Sequence, residues 1–155
     1  MGSIGGERRV SGAGRRNGAC FMHTGQSRRR HDRFVVPPMY TPISVRTLDE
    51  DVFRWEGHAY DISEGGLQFE CDRAFSPGSQ LALKIELPGV GLTAQQMRGA
   101  SGLPVFVMGN VVWLEDEDEP GPARMALAIT RFARAGDRER LMGRLDSGFF
   151  LRRVA

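Results

Sequence analysis

Arg29 and Arg33 stand four residues apart in the run Arg28-Arg29-Arg30-His31-Asp32-Arg33. On a helical turn that spacing places two guanidinium groups on one face. In extended chain Arg29, His31 and Arg33 project to one side. Either way, two planar forks converge on one ligand. Each fork can hold a phosphate by paired hydrogen bonds and stays charged at physiological pH. A second stretch, Asp61-Ile62-Ser63-Glu64-Gly65-Gly66, has the form D-x-S-x-G-G. It offers a carboxylate acceptor, a hydroxyl, and two glycines expected to take positive φ and to leave bare backbone beside a ligand.

Neither half is specific by itself. Of the 21 basic residues, all but Lys84 are arginine, and the same i,i+4 spacing recurs at Arg134/Arg138 and Arg140/Arg144. The D-x-S-x-G-G stretch also reads as an ordinary turn, with Asp and Ser bonding nearby amides. Order and charge distribution add weight. Residues 1–33 hold eight arginines against Glu7 and Asp32, a balance of +6 within a net charge of +2. A field so concentrated suits a compact anion.

The elements around the two stretches read as strands. Residues 1–27, rich in Gly, Ser and Arg, are expected to be a disordered basic arm. Residues 28–38 form a hinge whose Pro37 and Pro38 oppose helix. Ile43, Val45 and Thr47 alternate with polar residues. Phe53–Ile62 reads as a second strand, with a bulge or bend at Gly57. Leu67, Phe69 and Cys71 alternate again, and Leu81, Leu83, Ile85 and Leu87 keep period two. Pro88–Pro104 reads as a long loop. Val105–Leu114 is an apolar strand, Glu115–Glu119 an acidic hairpin tip, and Met125, Leu127 and Ile129 the last strand. Asp137 is expected to cap a short helix bearing Leu141 and Leu145, with Gly148 as its stop. Phe149-Phe150-Leu151 is an apolar end that must pack somewhere. Six or so short strands and one helix predict a mainly β fold, a small six-stranded antiparallel barrel with a C-terminal helix.

R-x-x-x-R, then 27 residues, then D-x-S-x-G-G, then the strand Gly109-Asn110-Val111-Val112-Trp113 resembles the signature order of the PilZ domain. That family is a bacterial receptor fold for the second messenger cyclic di-GMP. The resemblance covers roughly residues 28–147 and independently implies a six-stranded barrel followed by a helix. We accordingly expect an arm at 1–27 and a PilZ-like domain at 28–151. The resemblance implies that Arg29 and Arg33 bind the ligand's phosphates and guanine edges. Arg28, just before the motif, goes in this family with binding of a stacked ligand dimer. Asp61 would accept from guanine N–H groups and Ser63 would bond a phosphate oxygen or base edge. Gly65 and Gly66 would leave room for the ligand. Ligand binding would order the N-terminal arginine segment and pass the signal to an unidentified downstream protein. Arg138, from the repeated spacing, is expected to matter little. The long 88–104 insertion and the acidic tip depart from the family pattern.

Other chemistry finds little support. Cys20 and Cys71 lie far apart without a CxxC, which argues against a disulfide framework or zinc site, and Cys71 reads as a small buried hydrophobe. His23, His31 and His58 lack metal-ligand spacing. His58, Asp61 and Ser63 cluster in sequence, but residues on one strand and turn rarely converge as a triad. No enzyme activity and no cofactor beyond the ligand are expected. No run approaches the roughly 18 apolar residues of a membrane span, and no signal peptide is visible, so a cytoplasmic protein is expected. Two other functions stay open. One is a PilZ-like interaction module that binds no nucleotide. The other is a small barrel that holds single-stranded nucleic acid through its basic arm, with binding that falls steeply as salt rises.

Overall fold

The computed structural model describes residues 30–38, 41–89, 102–115 and 121–153. The expectations for residues 1–27, for Arg28 and Arg29, for Cys20 and His23, for most of the 88–104 loop and for the acidic tip beyond Glu115 lie outside them. Among the described residues there are eight strands and one α-helix: β1 (Arg33–Val35), β2 (Pro42–Thr47), β3 (Trp55–Ser63), β4 (Gly66–Cys71), β5 (Gln80–Ile85), β6 (Val105–Leu114), β7 (Ala123–Phe132), α1 (Asp137–Leu145) and β8 (Leu151–Arg153).

Six of these close on themselves. The order β2-β5-β6-β7-β4-β3 is completed by a β3–β2 pairing, so a six-stranded barrel forms in which every neighbouring pair is antiparallel. Closure removes the open edges that would otherwise template further pairing. The two additional strands are short. Beyond the point where β2 leaves β3, β1 takes its place, and β8 lies outside β1. The hinge thus enters the sheet at Arg33, and the expected apolar end continues into a strand.

The interior is filled by the period-two residues. Ile43, Phe69, Leu83, Ile85, Met125 and Leu127 are all buried. Cys71 is fully buried, and burial pushes its thiol pKa up, as for an inert core residue. Leu141 and Leu145 seat α1 against this core, and Phe150 follows them into it.

The helix start differs from expectation. Asp137 is not the cap but the first helical residue. Gly136, at φ 83°, holds the cap position with no side-chain bond. The Asp137 side chain is fully buried, where it accepts from the Phe106 N–H at 3.1 Å and pairs with Arg140. It is a tie between α1 and β6. Gly148, at φ 80°, stands in the turn after the helix.

Two of the three register shifts among the described strands decide which residues face outward at the site described below. In β3 the register slips between Ala59 and Asp61, at Tyr60, and not at Gly57. Gly57 and Ala59 face inward before the slip; Ile62 faces inward after it. One extra residue exchanges the two faces of a strand. Without it Asp61 and Ser63 would point into the apolar core. A second slip in β6, between Val111 and Trp113, does the same for Trp113. Val105, Val107 and Val111 are buried, whereas Trp113 is 42% exposed.

Candidate functional site

The residues turned outward by these bulges line one cleft of about 380 Å³. Arg30, His31 and Arg33 form one wall, Asp61, Ser63, Gly65 and Gly66 the floor, and Val112 and Trp113 the far wall. The link between the two sequence motifs is the β1–β3 ladder, in which Phe34 opposes Ile62 and Val35 opposes Asp61. Arg33, two residues before Val35, therefore shares a face with Asp61 and Ser63. Of the expected site residues, Arg33, Asp61, Ser63, Gly65 and Gly66 come together here. Arg28 and Arg29, immediately upstream of Arg30 in sequence, lie outside the described residues.

The glycines work differently from expectation. Positive φ among the described glycines belongs to Gly78, Gly121, Gly136 and Gly148, not to Gly65 or Gly66. What these two supply is clearance. A Cβ on Gly65 would lie 2.8 Å from Cδ2 of His31, and one on Gly66 would lie 2.5 Å from the Leu127 carbonyl oxygen. Gly65 thus lets the His31 ring lie on the turn, and Gly66 lets β4 approach β7.

Ser63 is already engaged. Its hydroxyl donates to the Gly66 carbonyl at 3.0 Å and accepts from the Gly66 N–H at 3.1 Å, closing the turn. A hydroxyl has one proton and two lone pairs. One lone pair remains for a ligand donor, while donation to a phosphate requires release of the Gly66 carbonyl. The His58–Asp61–Ser63 cluster does not converge: His58 faces Glu70 at 3.5 Å while Ser63 bonds Gly66.

Charge around the cleft is divided. Glu64, at the tip of the turn, holds Arg138 of α1 through Nε at 2.6 Å and lies 3.4 Å from Nδ1 of His31. Arg138 is therefore attached to the site turn, a contact that the repeated spacing does not suggest. Asp32 is taken by Arg152, and Asp61 lies 3.6 Å from Arg153. Among the described residues, Arg30 and Arg33 have no carboxylate in ion-pairing range. Two uncompensated guanidinium groups beside an aromatic wall make a site for an anion that carries a flat ring.

The expected site residues leave out Arg30, His31 and Trp113, which line the cleft, and Arg153, which lies 3.6 Å from Asp61. A signal for Trp113 was present: Val111-Val112-Trp113 breaks alternation, so a strand with one face in the core must turn one of them out. Arg153 left no such signal, because nothing in its surroundings foretells pairing with a strand 120 residues earlier.

The PilZ domain family model matches residues 27–145. Several solved structures share the fold. The inhibitor of motility MotI/DgrA from Bacillus subtilis aligns with a TM-score of 0.53 at 21% identity, covering 76% of this chain and 49% of that one. The PilZ domain of YcgR from Escherichia coli, solved with c-di-GMP, aligns with a TM-score of 0.52 at 12% identity, covering 76% of this chain and 88% of that one. The chain thus spans about half the length of the Bacillus protein. No curated protein matches the sequence.

Proposed function

This chain belongs to the PilZ domain family, and on that premise we propose that it is a receptor for cyclic di-GMP that signals to a partner protein. The observation that carries the reading is the β1–β3 register. It sets Arg33 on one face with Asp61 and Ser63, above a cleft walled by Trp113. Cyclic di-GMP carries two phosphates and two guanine bases. Arg33, with Arg29 from the motif, holds phosphate and the O6/N7 edge of guanine. Asp61 accepts from guanine N1–H and N2–H₂. Trp113 offers a ring face on which a base stacks. Arg28 extends the basic wall toward a second, stacked ligand. Binding needs no metal and no further cofactor, and the site is one for recognition, not catalysis. No described helix is long and apolar enough to cross a membrane, and we place the receptor in the cytoplasm. Calorimetric titration with cyclic di-GMP, with GTP and cyclic AMP as controls, tests this. Saturable binding of the cyclic dinucleotide alone is expected. Heat-free mixing with folded protein would favour a PilZ-like module without nucleotide, and tighter binding of oligonucleotides would favour the nucleic-acid reading.

The proposed switch is a tightening of Arg28–Arg30 onto the turn at Asp61–Gly66. Arg33 already belongs to β1, so the change concerns the residues upstream of it. Limited trypsin digestion with mass-spectrometric mapping is expected to show protection at Arg28, Arg29 and Arg30 under saturating cyclic di-GMP. Arg8, Arg9, Arg15 and Arg16 should remain cleavable. Unchanged cutting at Arg29 and Arg30 would end the ordering idea while leaving ligand binding intact.

A further inference from the structure

We propose that Arg153, carried on the last strand, is a further ligand-binding arginine that reaches across β1 to the same phosphate as Arg33. The proposal rests on the cyclic di-GMP reading above. In the β1–β8 ladder Arg33 stands directly opposite Arg153. Residues opposite each other in an antiparallel ladder share a face, and here it is the face that bears Asp61 and Ser63. Neighbouring strands lie about 4.8 Å apart, so β8 and β3 are separated by roughly 10 Å with β1 between them. Yet Nη1 of Arg153 lies 3.6 Å from Oδ2 of Asp61. Its side chain must therefore cross over β1, which sets the guanidinium above the row that carries Arg33.

Charge makes this placement informative. Like charges directly opposite one another destabilise a ladder. Among the described residues, Arg33 has no carboxylate of its own, and Asp61 is the single acid in contact with Arg153. A phosphate between the two guanidinium groups removes the repulsion and adds charge-assisted hydrogen bonds. Asp61 need not release Arg153 to serve the ligand. A carboxylate has about four lone-pair directions on two oxygens, and Arg153 approaches only Oδ2. The strand that delivers this side chain is otherwise slight. All three of its residues are exposed, Leu151 at 77%, and its one ion pair to β1's approach is Arg152 with Asp32 on the opposite face. A ligand that grips Arg153 thereby clamps β8 onto β1.

The test is calorimetric titration of cyclic di-GMP into the wild type, Arg153→Ala, Arg153→Lys, Arg152→Ala and Arg33→Ala. Arg153→Ala is expected to weaken binding about 10- to 100-fold, the worth of one charge-assisted contact. Arg153→Lys should recover part of the loss. Arg152→Ala loosens β8 from the other face and should stay within about twofold. Amide exchange at residues 151–153 should slow when ligand binds. The Arg153 side chain is 66% exposed, so folding is not at risk, and thermal melts of the free variants verify this. If the wild type binds and Arg33→Ala weakens it while Arg153→Ala binds equally well, the Arg153 assignment falls alone. Tighter binding by Arg153→Ala, with faster exchange in β8, would overturn it in favour of a plug that the ligand displaces. If the wild type does not bind at all, the receptor reading falls and this one with it.

Discussion

Arg33→Ala is expected to weaken cyclic di-GMP binding by about 2–4 kcal/mol, from the loss of one or two charge-assisted hydrogen bonds. That corresponds to about 30- to 700-fold in dissociation constant. The side chain lines the cleft, shares a face with Asp61 and Ser63, and has no acidic partner among the described residues. Truncation therefore frees no buried carboxylate, and the loss reads out ligand contact instead of repacking. Arg29→Ala should act in the same direction and to a similar extent, on the strength of the motif. The control must be an arginine away from the cleft. Arg138 is unsuitable, since it grips Glu64 in the site turn. Arg54 is suitable. It precedes β3 at the end opposite Asp61, about 20 Å away along an extended strand, and is exposed, with Glu50 at 3.6 Å. Arg54→Ala should leave affinity within about twofold. Isothermal titration of the three variants checks the prediction, and wild-type affinity in both Arg29→Ala and Arg33→Ala would remove the motif from the site.

The barrel was legible because its strands obey period two where they face the core. Leu81, Leu83 and Ile85 in β5 and Leu67, Phe69 and Cys71 in β4 announce both strand and inward face. The site was legible as two motifs but not as a surface, because its geometry depends on departures from that period. The bulge at Tyr60 turns Asp61 and Ser63 outward, and the one at Val112 turns Trp113 outward. Neither position carries glycine or proline, so no composition cue marks it. Long-range pairing was invisible for another reason. Arg152–Asp32, Arg153–Asp61 and Arg138–Glu64 join segments whose separation in sequence is set by the whole topology. The glycines of D-x-S-x-G-G line the cleft, but without the positive φ expected of them. Positive φ is a local property that sequence suggests, whereas clearance for His31 and for the Leu127 carbonyl is a property of the assembled barrel.

Asp137→Ala is expected to destabilise the fold by about 3 kcal/mol, although the position reads in sequence as a simple helix cap. Two losses add. The Phe106 N–H, at 3.1 Å from Oδ2, loses its carboxylate acceptor on β6, which costs about 1.5–3 kcal/mol for a bond to a charged group. The first turn of α1 loses a negative charge at its positive end, about 0.3–1 kcal/mol, together with the contact to Arg140. Asp137→Asn separates these effects. It keeps an oxygen for the Phe106 N–H and loses only the charge, so about 1 kcal/mol is expected. In a domain of this size the alanine variant should melt on the order of 10 °C lower. Because α1 carries Arg138 and Arg138 holds Glu64, loosening the helix start should also free the turn that bears Ser63 and Gly65. Amide exchange across residues 63–66 should therefore rise in Asp137→Ala more than in Asp137→Asn. Urea denaturation of the two variants beside the wild type measures the first effect. A loss below about 0.5 kcal/mol in Asp137→Ala, the usual range for surface changes, would show that the buried carboxylate does not tie α1 to the barrel.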